Sequence, residues 1–333
     1  MLSLSAVFIL GLGILYLGAD WLVQGASAVA KRFGIRPLIV GLTVVAMGTS
    51  IPEFLLNFFA VMAGEDGLAI GNIIGSNISN IALILGVSAV LLPLAFDGNV
   101  LRKEYPMMLA VTGLFYILSL DGVLSRVDGI ILLSSLVAFM VFIVNDALKH
   151  AKNSSLERES VQDEEVDPAA NAFTRFVSQS HIAPYFRVLL IIAGIAALAI
   201  GARLMVDSAV GIAELLQIAP IIIGLTIVAI GTSLPELAAS LMSAFRNEND
   251  MAVGNVVGSN ILNILFVIGF VAVIRPMEVE VETLQLHFPV LIGFSLLLYP
   301  LARTKHALSR IDGILLLIAF VVYLVWLIYP ELT

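Results

Sequence analysis

Apolar residues fall into ten long runs with short polar breaks between them, near 3–29, 37–62, 68–93, 105–120, 127–148, 185–210, 219–245, 251–274, 285–302 and 310–329. Each approaches the ~20 residues a helix needs to cross the hydrocarbon core of a bilayer. The pattern predicts an all-α integral membrane protein with ten transmembrane helices. The second, third, seventh and eighth runs are longer than a span requires and are interrupted by Gly, Pro, Ser and Asn. That composition is expected of broken helices that line a site.

Two stretches within these runs are near copies. Gly48-Thr49-Ser50-Ile51-Pro52-Glu53 recurs as Gly231-Thr232-Ser233-Leu234-Pro235-Glu236, 183 residues later. Gly71-Asn72, Gly75-Ser76-Asn77 and Asn80 recur at the same offset as Gly254-Asn255, Gly258-Ser259-Asn260 and Asn263. Aligned without gaps, 37–86 and 220–269 share 23 identities in 50 positions. Leu124-Ser125-Arg126-Val127-Asp128-Gly129 answers Leu308-Ser309-Arg310-Ile311-Asp312-Gly313. The expected organisation is a first five-helix repeat over 1–148, an acidic cytoplasmic linker over 149–184, and a second repeat over 185–333. An odd number of helices per repeat turns the second copy upside down relative to the first, the inverted-repeat plan of secondary transporters.

Charge sets the orientation. With the N-terminus outside, fourteen Lys and Arg fall in loops on the inner side and two, Arg126 and Arg275, on the outer; Arg203 lies within the sixth run. The excess of basic residues on cytoplasmic loops predicts both termini outside, in a cell membrane. The first run has no basic segment before it and is expected to be a retained helix, not a removed signal. Mean hydropathy is +1.05 and only 13% of residues are charged. There is no cysteine, and the four histidines sit at no metal-ligand spacing, so thiolate chemistry is excluded and no cofactor is expected. The acidic cluster Asp163, Glu164, Glu165 and Asp167 lacks the spacing of an EF-hand loop and reads as solvated linker.

The chemistry lies in the copies. A carboxylate inside the bilayer is costly and is a functional residue by default. Pro52 and Pro235 each remove a helix hydrogen bond, which frees carbonyls near Ala46–Thr49 and Ala229–Thr232 to face a cavity. Asn72, Ser76 and Asn80 are spaced four apart on one helix face, as are Asn255, Ser259 and Asn263. The set is all oxygen, a hard-cation environment. Two ionised glutamates match one Ca²⁺ or two Na⁺. An intramembrane enzyme would need a nucleophile–base pair, and no core histidine supplies one.

Both copies resemble the α-repeats of the cation/calcium antiporter superfamily, in particular its sodium/calcium exchanger branch in its compact prokaryotic form. The resemblance implies that Glu53 and Glu236 are the principal shared Ca²⁺ and Na⁺ ligands. It implies supporting ligands at Thr49, Ser50, Ser76, Asn80, Thr232, Ser233, Ser259 and Asn263, with carbonyls from Ala46 and Ala229. It further implies that the first and sixth helices slide as a pair across the rest. Some members, including potassium-dependent ones, carry Asp where this chain has Asn263, which weakens any case for K⁺ transport. The expected function is electrogenic exchange of Na⁺ for Ca²⁺ by alternating access, exporting Ca²⁺. The alternative is a Ca²⁺/H⁺ exchanger that uses the same glutamates.

Overall fold

The computed structural model describes residues 2–96, 98–158, 183–217, 229–303 and 307–332. Helix dominates the described residues. In chain order the helices are α1 (Leu2–Phe33), α2 (Pro37–Thr49), α3 (Ile51–Ala63), α4 (Asp66–Leu91), α5 (Gly98–Arg102), α6 (Glu104–Ser119) and α7 (Arg126–Arg158). After the gap in description come α8 (Ala183–Leu215), α9 (Ala229–Thr232), α10 (Leu234–Phe245), α11 (Asn249–Ile274), α12 (Thr283–Arg303) and α13 (Arg310–Leu332). Four two-residue strands, β1 (Leu94–Ala95), β2 (Val123–Leu124), β3 (Met277–Glu278) and β4 (Ala307–Leu308), form two antiparallel ladders.

Among the described residues, seven helices are continuous, long and apolar enough to cross a membrane, and the bent pair α2–α3 makes an eighth. The two remaining expected spans are helical but short. α6 has 16 residues, fewer than a perpendicular span needs. α10 has 12, and 218–228, ahead of α9, lies outside the described residues. α7 continues to Arg158, so the first part of the expected linker is helical. Its acidic cluster falls in 159–182, outside the described residues.

The expectation of four broken helices needs correction. Among the described residues of these four runs, only the proline-bearing ones break. α2 and α3 meet at 44°, and Ser50 leaves helical geometry at φ −81°, ψ 1°; Ser233 repeats this at φ −87°, ψ 4°. α4 and α11 run on without interruption because Gly and Asn keep their backbone N–H, which proline lacks. Their irregularity is a widened π-turn, Asn80–Ile84 in one and Asn263–Ile268 in the other. Such turns insert an extra residue into the ladder and favour functional sites.

Close packing follows the sequence copies. Gly86 sits against Leu317 and Gly313, while Gly269 sits against Leu132 and Leu133 and faces Gly129. These contacts map onto each other at the offset of the repeat. The ladders do likewise: Leu94 pairs with Leu308 and Val123 with Glu278, each joining one half of the chain to the other. The turn residues Gly64 (φ 92°) and Asn247 (φ 58°), one per copy, both adopt the left-handed conformation, which Gly and Asn accept most readily. The core sits on α4 and α11, whose spans are the most buried of those assigned.

α1 and α8 form a separate layer. A Cβ on Gly18 would lie 2.6 Å from Leu198 N, and one on Gly194 2.6 Å from Leu22 N. Only glycine permits backbones this close, as in small-residue seams between membrane helices. Asp20 and Arg203, one from each copy, do not meet. Asp20 pairs with Arg246 of the α10–α11 turn, and Arg203 with Asp207.

Candidate functional site

Each proline places a carboxylate where the sequence predicts one. Pro52 sits in the first turn of α3, so its missing N–H is tolerated there while Gly48 loses its helical donor. The structure keeps one bond that the sequence reading had opened: Ser50 N donates to Ala46 O at 3.0 Å, and Thr49 Oγ1 reaches the same carbonyl at 3.3 Å. Ala229 opens the short turn α9.

Glu53 and Glu236 are both fully buried. Among the described residues, no Lys or Arg forms an ion pair with either. Two uncompensated carboxylates in a low-dielectric interior cost several kcal/mol each, so the pocket calls for a bound cation or a proton. Around them Thr49, Ser50, Ser76, Asn80, Ser233, Ser259 and Asn263 are each no more than 2% exposed, and Thr232 is half-buried. Eleven of the twelve sequence-expected positions are thus located at side-chain level; for Ala229 only the backbone is described.

The halves are stitched together across the pocket. Ser76 Oγ donates to Glu53 Oε1 at 3.4 Å. Thr49 Oγ1 donates to Asn255 Oδ1 at 3.3 Å and lies 3.5 Å from Ser259 Oγ, which links α2 to α11. Asn255 Nδ2 donates to Ser240 Oγ at 2.9 Å and to Glu236 O at 3.2 Å. Asn57 Nδ2 donates to Glu53 O at 2.6 Å. Gly254 and Gly258 bring α11 onto the backbone of α2: a Cβ on Gly258 would lie 2.6 Å from Leu42 O.

Several buried oxygens have no hydrogen-bond partner among the described residues: Glu53 Oε2, both Glu236 oxygens, Asn80 Oδ1, Asn263 Oδ1, Ser50 Oγ and Ser233 Oγ. Buried polar atoms are nearly always satisfied. Oxygens of this kind beside two carboxylates fit a hard cation bound directly by the protein.

Sequence reasoning gave no role to Asn77, Asn260, Asn57 or Ser240. Asn77 and Asn260 were legible as identical residues in both copies. Asn57 and Ser240 occupy matching positions with different side chains, so no repeat signal marked them.

A family model described as "Sodium/calcium exchanger protein" matches residues 3–145 and 186–329. The chain is 38% identical over 330 residues to the inner membrane protein YrbG of Escherichia coli K12, covering 98% of this chain and 97% of YrbG. It is 32% identical over 342 residues to the sodium/calcium exchanger MaX1 of Methanosarcina acetivorans, covering 97% and 98%. A solved structure of the sodium-calcium exchanger NCX_Mj, soaked with Na⁺ and Ca²⁺, superposes with a TM-score of 0.78 at 33% identity, covering 97% of each chain.

Proposed function

The chain belongs to the sodium/calcium exchanger family, a family of multi-pass membrane transporters of cations, and on that premise we propose that it exchanges Na⁺ for Ca²⁺ through one central site. The observation that carries the reading is the pair Glu53 and Glu236: one from each half, both fully buried, and, among the described residues, without a basic partner and accompanied by buried oxygens that lack a hydrogen-bond partner. Thr49, Ser50, Ser76, Asn80, Ser259 and Asn263, with Thr232 and Ser233, complete the ligand set, and Ala46 and Ala229 add carbonyls. Their neutral oxygens leave the net charge to the two carboxylates. One Ca²⁺ then balances the site, and so do two Na⁺ with any further Na⁺ held by neutral oxygens. Exchange with that further Na⁺ is electrogenic and exports Ca²⁺ at the expense of inward Na⁺.

The architecture we propose is ten membrane helices in two inverted five-helix repeats, 1–148 and 185–333, joined by the linker 149–184. The exchange of the two ladders between halves and the two-segment family match support it. Both termini are then outside. The ion pairs agree with this arrangement: Lys103 and Arg36 with Asp146, near the end of the fifth run assigned inside, and Lys31 with Glu248 lie on the inner side, whereas Arg275 with Asp66 joins loops assigned outside. Access alternates when α1 and α8, locked along their glycine seam, slide as one body past the core.

The deciding experiment is ⁴⁵Ca²⁺ uptake into proteoliposomes under imposed Na⁺, H⁺ or K⁺ gradients. An outward Na⁺ gradient drives uptake, a K⁺ gradient adds nothing, and a pH gradient alone drives none. Uptake driven by the pH gradient alone assigns the glutamates to proton exchange and refutes Na⁺ coupling.

A further inference from the structure

Asparagine presents either an amide oxygen or an amide nitrogen, and only the oxygen binds a cation. Asn80 and Asn263 therefore serve the site only if each is held the right way round. The side-chain assignment of an amide is ordinarily a choice of hydrogen-bond network. Here acceptor-only neighbours fix it.

Asn77 Nδ2 donates to the backbone carbonyl of Asn260 at 3.2 Å. A carbonyl cannot donate, so nitrogen must face it, and Asn77 Oδ1 faces the other way. That oxygen accepts Asn263 Nδ2 at 3.1 Å, and Ser76 Oγ accepts the same nitrogen at 3.3 Å, which leaves Asn263 Oδ1 with no hydrogen-bond partner among the described residues. The other half repeats the logic with a different anchor. Asn260 Nδ2 donates to Met108 Sδ at 3.5 Å, and a thioether only accepts. Asn260 Oδ1 then accepts Asn80 Nδ2 at 3.1 Å, leaving Asn80 Oδ1 without a hydrogen-bond partner among the described residues. The two 3.1 Å bonds map onto each other at the repeat offset, and all four asparagines are at least 99% buried.

We infer that Asn77 and Asn260 are positioning residues: each holds the amide of the ligand asparagine in the opposite half with its oxygen toward the transported cation. The inference rests on the ion-site reading above and deepens it. It also ties the halves together at the ion, since each ligand amide is oriented by a residue of the other repeat. Outer partners of ion ligands commonly contribute 10- to 100-fold in affinity.

The test is a set of double-mutant cycles read by calorimetric Ca²⁺ binding to purified full-length protein in Na⁺-free buffer, with the melting temperature measured in chelator. Asn77→Ala weakens Ca²⁺ binding about tenfold but adds no further loss in an Asn263→Ala background. Asn260→Ala behaves the same way toward Asn80→Ala. The crossed doubles, Asn77→Ala with Asn80→Ala and Asn260→Ala with Asn263→Ala, multiply their losses instead. Equal multiplication in all four doubles, or a lowered melting temperature with Ca²⁺ affinity intact, overturns the inference. Each half supplies an independent cycle, and Asn77→Thr or Asn260→Thr, polar but too short to reach, replaces an alanine variant that does not insert. If Glu236→Gln binds Ca²⁺ as the parent does, the ion-site reading itself falls. If Glu236→Gln loses binding while the asparagine cycles show no coupling, only this inference falls.

Discussion

Replacing Gly258 by alanine tests how tightly the site depends on helix spacing, because the residue touches no proposed ligand oxygen. The new Cβ would stand 2.6 Å from Leu42 O, 2.7 Å from Leu42 Cα and 2.9 Å from Ala46 Cβ. Two of these atoms are backbone, so no rotamer change relieves the clash. Reaching ordinary contact of ~3.5 Å requires α11 to retreat from α2 by roughly 1 Å. The Thr49 contacts to Asn255 and Ser259, at 3.3 and 3.5 Å, already sit at the limit of hydrogen bonding, and the same movement breaks both. Overpacking costs about 1–3 kcal/mol and the two lost bonds about 1 kcal/mol each, for a total of about 3–5 kcal/mol. A misplacement of this size at an organised site costs on the order of 100-fold. Ca²⁺ binding by calorimetry should therefore weaken by about 10- to 100-fold in Gly258→Ala. Gly293→Ala, whose Cβ meets nothing within 4 Å, should bind as the parent does. Equal affinity in the two variants would refute the spacing argument.

Thr49→Val keeps the shape but removes the hydroxyl that joins α2 to α11, leaving buried Asn255 Oδ1 without its donor; a loss of about 1–3 kcal/mol should appear as a lower melting temperature together with weaker Ca²⁺ binding. Pro235→Ala restores an N–H to the α9–α10 junction, so transport should fall while thermal stability holds or rises; unchanged ⁴⁵Ca²⁺ exchange would show that the break does not serve the site. Because the chain has no cysteine, orientation can be read with single substitutions: an impermeant maleimide applied to intact cells should label Asp121→Cys and not Asn247→Cys, and the reverse pattern would invert the topology.

The sequence made the helical runs, their membrane character and the paired carboxylates legible, because hydropathy and a repeated motif are local signals. Proline at 52 and 235 correctly marked the two breaks. The same reasoning overreached at α4 and α11, where Gly and Asn suggested breakage but retained their backbone donors and gave only widened turns. Ala46 shows a similar limit: its carbonyl keeps its helical bond from Ser50 N despite the nearby proline. The cross-half bonds of Asn77 and Asn260 could not be read from spacing at all, since they depend on how two distant helices meet. Their identity in both copies was visible, but the direction in which each amide points was not.

The central claim is that one carboxylate from each half converges on a single cation site. Its most direct test is ⁴⁵Ca²⁺ flux into proteoliposomes driven by a Na⁺ gradient, comparing the parent with Glu53→Gln and Glu236→Gln, each verified as folded. Both single substitutions should abolish flux, because either one alone removes a ligand and half the charge that balances Ca²⁺. Parental flux in either variant would contradict the account.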